Sequence, residues 1–277
     1  MNVAKEKSTE GELLEARYER YRKVLKDLTI MSDVFMRNVF KKWECTEYVL
    51  QVIMGRKDLR IIDQVLQKDY KNLQGRSVVL DCVVRDAEGK QMDVEIQQDN
   101  EGASPKRARY HSGLMDMNTL NPGEDFEELP ETCVIFITKE DVLGYGLPIY
   151  RIDRTIKELD KDFQDEAHII YVNSKKQEDT ELGNLMHDLH CKNAEEMHSS
   201  ILAERVRELK ETERGVEIMC REMEQIYSEG MENGIRQGQI ETLAGLVMDG
   251  KLDIKTAAAS SGMTEQEFQA EMEKLKR

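Results

Sequence analysis

Two continuous apolar runs constrain the fold of this chain more than any other feature. Residues 132 to 138, TCVIFIT, and residues 167 to 173, AHIIYVN, are rich in β-branched and aromatic side chains. Such runs, bounded by polar residues, are typical of strands buried on both faces of a sheet that helices cover. With a first strand expected near residues 61 to 66, they predict an α/β core over residues 28 to 183.

Two helical segments come before the first expected strand. Residues 1 to 27 include a stretch dense in charged helix formers, which predicts a solvated N-terminal helix. Residues 32 to 55 predict a helix with Ser32 or Asp33 as its N-cap and Gly55 at its end. Its broad apolar face consists of Phe35, Val39, Phe40, Trp43, Val49, Leu50 and Ile53.

From residue 184 onward the strand signal stops. Residues 195 to 231 hold ten Glu against five Lys or Arg, so we expect a long acidic helical extension over residues 184 to 277. It ends in two short helices around Ser261 and Gly262, the outline of a helix-turn-helix. The second of these helices carries mostly Glu and Gln, which favours a role in packing or assembly over the reading of a DNA groove.

Three glycines of this extension, Gly230, Gly234 and Gly238, lie four residues apart. On a helix this spacing stacks them on one face, where a second helix can approach closely. Their spacing fits neither a P-loop nor a dinucleotide-binding motif. We therefore expect a homo-oligomer formed through the C-terminal helices.

Charge and cysteine content limit the partners and the compartment. The formal net charge of −15 disfavours nonspecific binding to nucleic acid, so any DNA contact needs a local basic patch or bound cations. The five cysteines are scattered and odd in number, which is typical of reduced thiols. With no window of about 18 apolar residues, the sequence predicts a cytoplasmic protein without membrane contact.

Residues 80 to 98, LDCVVRDAEGKQMDVEIQQ, predict a hairpin. Apolar residues alternate along both strands, and the two apolar rows share a face only if the connection is the three-residue loop 87 to 89. That loop requires Gly89 in the left-handed conformation. In this register Asp81 lies across from Glu95.

The other face of the hairpin then carries Asp81, Asp93, Glu95 and Gln97. A solvated face of an amphipathic sheet is one explanation. Opposed acids, however, cost up to roughly 1 kcal/mol per pair unless a cation lies between them. Because Mg²⁺ takes one or two carboxylates together with water and phosphate oxygens, this face predicts a cation site.

Asp81 followed by Glu95-Ile96-Gln97 across a hairpin resembles the D…E-x-K signature of the PD-(D/E)XK nuclease superfamily. More closely, the chain resembles the bacterial PD-(D/E)XK nuclease family transposases, relatives of the Rpn recombination-promoting nucleases. The stretches that carry this resemblance are SDVFMRNVF (32 to 40), LDCVVRDAEGKQMDVEIQ (80 to 97), SPKRARYHSGLMD (104 to 116), LPETCVIFITKEDVLGYGLPIY (129 to 150), LMHDLHC (185 to 191) and VEIMCREME (216 to 224).

The resemblance implies a restriction-endonuclease-like fold, a mixed central sheet flanked by helices, and a Mg²⁺-dependent DNA endonuclease of the recombination type, with Mn²⁺ as a substitute ion. It implies that Asp81 and Glu95 bind the metal and that Gln97, which stands in the Lys position of the signature, orients water. Gln is uncharged and cannot act as an acid. The alternative is a nuclease fold that no longer cuts and acts through its helical extension.

Further residues near this motif have two interpretations each. Lys106, Arg107 and Arg109 open a helix with Ser104 as N-cap, where they either clamp phosphate or form a solvated first turn. Asp33 either approaches the metal or caps its helix.

We expect Asp93 to support the metal ligands rather than to bind the ion itself, because Val83, rather than an acid, lies across from it. His187, His190 and Cys191 are metal-ligand types, but at their spacing they are as easily packing neighbours on a helix.

Overall fold

The computed structural model describes residues 2–70, 76–98 and 100–275. The chain divides into two compact units, Met1–Met219 and Cys220–Arg277. The start of the extension expected at residue 184 therefore lies inside the first unit.

The first unit is built on a mixed six-stranded sheet. In spatial order its strands are β1 (Ile61–Tyr70), β2 (Val78–Asp86), β3 (Gln91–Gln97), β4 (Thr132–Thr138), β8 (Ala167–Asn173) and β5 (Ile149–Ile152). Strands β1, β2 and β3 pair antiparallel, β3, β4 and β8 run parallel, and β5 is antiparallel to β8. A separate two-stranded ribbon joins β6 (Thr155–Ile156) to β7 (Lys161–Asp162).

Both apolar runs form strands with the bounds predicted for them. Every residue of β4 is buried, as expected for a strand that lies between two parallel neighbours and is covered on both faces. Strand β1 extends beyond the expected residue 66 to Tyr70. The edge strand β5 was not predicted, because its four residues alternate too briefly to give a pattern.

The N-terminal part of the chain forms α1 (Asn2–Asp27), α2 (Asp33–Phe40) and α3 (Trp43–Met54). The single helix expected over residues 32 to 55 is wrong, because the backbone of Lys42 is extended and separates α2 from α3. Trp43 begins α3 and is 49% exposed, so its place on the apolar face is wrong as well. Gly55 ends α3 in the left-handed conformation, as predicted.

Helix α4 (Pro105–Met117) covers the face of the sheet that carries Asp93 and Glu95. Its N-cap is Ser104, which accepts a hydrogen bond from the Arg107 amide as predicted. The shared core contains Ala108, Leu114 and Met115 of α4 with Val134, Phe136 and Tyr171 of the sheet. The acidic face of the hairpin is therefore covered by a helix at Asp93 and Glu95 rather than solvated.

Helices α5 (Glu181–His190) and α6 (Ser200–Glu211) complete the first unit. Both pack against α3, and α6 also packs against α2. The buried residues of α5, among them Leu185 and Leu189, give it an apolar face toward this unit. Composition alone does not separate such helices from the acidic helix that follows.

The second unit contains most of α7 (Glu213–Met248), from Cys220 onward, with α8 (Ile254–Ser260) and α9 (Glu265–Leu275). Ser261 and Gly262 form the turn between the last two helices, as predicted, and Gly262 has a φ of +69°. The small core of this unit consists of Ile240, Ala244, Ala257, Ala258, Phe268 and Met272. The two short helices thus bury their apolar faces against α7.

Two further expectations concern the cysteines and membrane-spanning helices. All five cysteines are free thiols and all are buried, in agreement with the expected absence of a disulfide framework. Within the described ranges, no helix combines the length and the apolarity needed to cross a membrane.

Candidate metal centre

The predicted register of the hairpin is confirmed. Val83 pairs with Asp93, and Cys82 pairs with Val94. The loop is closed by a hydrogen bond from the Gly89 amide to the Asp86 carbonyl, and Gly89 has a φ of +91°. Parity therefore places Asp81, Asp93 and Glu95 on one face of the sheet.

Beyond this paired stretch, backbone groups of β2 and β3 bond to carboxylates. The Asp81 amide donates to Glu95 Oε1 at 2.9 Å. The Ile96 amide donates to the Asp81 carboxylate in return. Each carboxylate is thus fixed by an N–H of the opposite strand, which holds the two acidic side chains side by side.

Glu95 is fully buried and is the centre of the cluster. Its Oε2 accepts a hydrogen bond from Gln97 Nε2 at 3.2 Å and lies 3.4 Å from Arg107 Nη2. The three residues predicted to do the chemistry, Asp81, Glu95 and Gln97, are therefore joined by direct hydrogen bonds. Arg107 adds a permanent positive charge to the same carboxylate.

The three basic residues predicted to bind substrate, Lys106, Arg107 and Arg109, all line one cavity of about 680 Å³. Arg76 lines the same cavity, and Arg107 also contacts Glu95. The solvated first turn is thus wrong for Arg107, because its guanidinium is engaged with the buried acid.

Asp81 opens to a cleft of about 520 Å³ that Asp33, Gln67 and Gln97 also line. Asp33 is the first residue of α2, after the N-cap Ser32, so the capping role considered for it is wrong. Its carboxylate pairs with Arg37 at 3.0 Å and is exposed. The negative charge of Asp33 adds to the effect of burial in raising the pKa of Asp81.

His111 of α4 forms a buried pair with Asp93. Its Nε2 lies 3.1 Å from Arg107 Nε, and Arg is always a donor, so Nε2 accepts. The proton of the neutral ring is then on Nδ1, which donates to Asp93 Oδ2 at 3.0 Å. Among the described residues, Asp93 Oδ1 has no hydrogen-bond partner.

The electrostatics of the cluster fit a divalent cation. Burial, helped by the charges of Asp93 and Asp81, raises the pKa of Glu95 to about 9. Burial also raises the pKa of Asp93 well above its usual range. Ligand atoms of Asp93, Glu95 and His111 all lie within 4.8 Å of one another. Hard oxygen donors, mutual repulsion and an unpartnered Asp93 oxygen together suit an ion such as Mg²⁺ or Mn²⁺.

Sequence patterns did not single out three residues of this site: Gln67, Gly102 and His111. Gln67 Nε2 donates to Asp81 Oδ1 at 3.1 Å. A Cβ added to Gly102 would lie 2.2 Å from Gln97 Oε1, so the Gln97 amide packs directly on this glycine. His111 had a usable signal, because it lies four residues after Arg107 on one helix face.

A mixed sheet with a carboxylate-bearing hairpin beside a parallel pair, covered by helices, defines a PD-(D/E)XK nuclease fold. The family model for PD-(D/E)XK nuclease family transposases matches residues 50–235, and the chain belongs to that family. The matched range includes Asp81, Glu95 and Gln97 but not Asp33. No curated protein and no solved structure matches the chain.

Proposed function

We propose that this chain is a DNA endonuclease that depends on Mg²⁺, with Mn²⁺ as a substitute, and that acts in transposition or recombination in the cytoplasm. The observation that carries the proposal is the hydrogen-bonded cluster of Asp81, Glu95 and Gln97. Family membership makes a nucleic-acid phosphodiester the expected substrate.

Asp81 and Glu95 are the residues that would hold the cation, since their carboxylates are fixed side by side and Asp81 faces the open cleft. When bound, the ion lowers the pKa of a coordinated water and offsets phosphate charge. The side-chain NH₂ group of Gln97 donates to Glu95, so its oxygen, which packs on Gly102, is the atom that would orient water from the cleft side. Arg107 supplies positive charge where Gln97, unlike a Lys, has none.

A chain of net charge −15 needs a local basic surface to bind DNA. Arg76, Lys106, Arg107 and Arg109 line one cavity, and Arg107 links it to the metal centre. We propose that this basic cavity contacts the phosphate backbone. Counterion release then makes binding weaken steeply as salt is raised.

Nicking of supercoiled plasmid in Mg²⁺ tests the proposal. Asp81→Asn and Glu95→Gln keep the size of each side chain but remove its charge, and we expect each to lower the rate by about a hundredfold or more. Asp63→Asn is the matched control, because Asp63 is an exposed carboxylate of β1 at 3.9 Å from Arg85. Cleavage that is unchanged in both site variants would show that this cluster is not the active centre.

A second candidate function is assembly through the helical extension. Met231 and Ile235 are 49% and 57% exposed on α7. A Cβ added to Gly230, Gly234 or Gly238 on the same helix would meet nothing within 4 Å. We propose that this stretch of α7 packs against its copy in a homo-oligomer, whether or not the chain cuts DNA.

A further inference from the structure

A second cluster of metal-ligand side chains lies at the end of α5, on elements that the nuclease chemistry does not use. His187 and Asp188 belong to the last turns of α5, and Cys191 follows the helix directly. Ligand atoms of the three residues all lie within 4.8 Å of one another. His190, the other candidate of this stretch, bonds to Ser174 Oγ at 2.8 Å through its Nε2 and is not part of the cluster.

The contacts of His187 Nδ1 indicate which kind of ligand the cluster could bind. This nitrogen is 3.4 Å from Cys191 Sγ and also 3.4 Å from Asp188 Oδ1. Cys191 Sγ also lies 3.8 Å from His187 Nε2, beside the face of the ring, and 3.7 Å from the Glu196 carbonyl, to which the thiol can donate. The nitrogen-to-oxygen distance also exceeds the usual 2.7 to 3.2 Å or so of a hydrogen bond.

A single metal ion can bond to all three residues once the partly exposed His187 ring turns a nitrogen toward the sulfur. Zinc bonds of about 2.0 to 2.3 Å at tetrahedral angles place neighbouring ligand atoms roughly 3.3 to 3.5 Å apart. Both distances at Nδ1 have that value. A thiolate, an imidazole and a carboxylate are the ligand types of zinc, whereas Mg²⁺ prefers oxygen alone.

Asp188 is oriented for such a role by the backbone. Its carboxylate is fully buried, and its two oxygens accept hydrogen bonds of 2.8 Å from the amides of His198 and Ser199. Carboxylates that bind metals are commonly held by hydrogen bonds of this kind. Each oxygen keeps a lone pair for a further ligand.

The cluster is also accessible. The side chain of His187 is 38% exposed, and its ring centroid lies 4.8 Å from that of His198. We propose that His187, Asp188 and Cys191 form a zinc site whose fourth position is open to water or to His198. The bound ion ties the end of α5 to the segment that leads into α6.

Metal binding by the full chain, stripped with a chelator and kept reduced, tests the proposal. Co²⁺ is the probe, because a thiolate ligand gives it a near-ultraviolet charge-transfer band, and Zn²⁺ is then titrated against it. We expect one equivalent of Zn²⁺ to abolish the band. Cys191→Ser should lose the band, and His187→Gln should weaken Zn²⁺ binding by about a hundredfold or more.

Two further variants serve as controls for the Co²⁺ band. Cys220→Ser removes another buried thiol and should keep the band. The Asp81→Asn, Glu95→Gln double variant disables the nuclease centre and should also keep it, so failure of the nuclease proposal does not affect this one. If Cys191→Ser does not fold, the test rests on His187→Gln, because the His187 side chain is 38% exposed and its replacement is compatible with folding. A wild-type protein without the band, or a band that survives in folded His187→Gln at full Zn²⁺ affinity, overturns the site.

Discussion

Gln67 lies across from Asp81 in the β1–β2 pair and donates a hydrogen bond of 3.1 Å from its side-chain amide to the Asp81 carboxylate. The contact depends on an unusual backbone, because Gln67 has a φ of +52°. A residue other than glycine in this region costs about 1 kcal/mol or more. The strand thus accepts local strain at the position that faces the proposed metal ligand.

The substitution Gln67→Gly separates the hydrogen bond to Asp81 from the backbone strain at Gln67. It removes the amide donor but relieves the left-handed backbone, so we expect cleavage to fall about tenfold while the free energy of unfolding stays within about 1 kcal/mol of wild type. Plasmid nicking and urea denaturation measure the two quantities. Lys68→Gly, one residue further along β1, should instead lose about 0.5 to 1 kcal/mol of stability and keep its activity. Equal losses of activity in the two variants would contradict a positioning role for Gln67.

The elements that define this fold could be predicted because burial imposes a pattern on them. The bounds of β4 and β8 follow from continuous apolar runs, and the register of the hairpin follows from the parity of its two apolar rows. The position of Glu95 and Gln97 on the face of Asp81 followed from that register alone. The match to the family is consistent with the same motif.

The rest of the site depends on contacts between segments far apart in sequence. Gln67 reaches Asp81 through the pairing register of β1 and β2, and the number of residues between the two strands does not reveal that register. Gly102 matters because the Gln97 amide lies on it, a contact with no periodic signature. The sequence pattern predicted that Arg107 binds phosphate but not that it contacts Glu95. A basic residue in the first turn of a helix does not indicate which carboxylate it will pair with.

Gly102→Ala tests how Gln97 is held. The added Cβ would lie 2.2 Å from Gln97 Oε1, and the end of this flexible side chain can move away at little cost. We therefore expect the melting temperature to change little and cleavage to fall about tenfold, as when a supporting contact of a metal centre is lost. In a double-mutant cycle with Gln97→Ala, the second substitution should add almost nothing. Fully additive losses would show that Gly102 acts elsewhere.

Self-association through α7 predicts a change in mass. Replacing Met231 and Ile235 with Glu places two charges at the half-exposed apolar positions beside Gly234. If two copies pack there, burial of those charges is unfavourable, and light scattering after gel filtration should give a smaller mass than wild type. Glu229→Gln, an exposed position on the opposite side of the helix, serves as the control. An identical mass for wild type and the double variant, at every concentration, contradicts the proposed interface.

The buried acids predict how stability depends on pH without metal. The Glu95 carboxyl titrates at its ordinary value of 4.5 in the unfolded chain, and its pKa rises to about 9 in the folded protein. Between these values the folded state binds more protons, so the free energy of unfolding falls as pH rises. Asp81 and Asp93 shift in the same direction. His111, whose pKa is lowered by burial from its ordinary 6.5, opposes this trend only below that pH. The interval from pH 7 to pH 9 lies above the His111 titration. Because Lys210 and buried cysteines also titrate there, the contribution of Glu95 is the difference between wild type and Glu95→Gln.

In EDTA, the melting temperature of the wild-type protein should fall from pH 7 to pH 9, and Glu95→Gln should flatten this dependence because its side chain stays neutral. Mg²⁺ should stabilise the wild type more at pH 9 than at pH 7, since a cation favours the ionised acids that repel one another. Asp63→Asn, which removes an exposed carboxylate, should keep the wild-type profile. The same pH dependence in wild type and in Glu95→Gln would mean that the buried Glu95 is already ionised at pH 7.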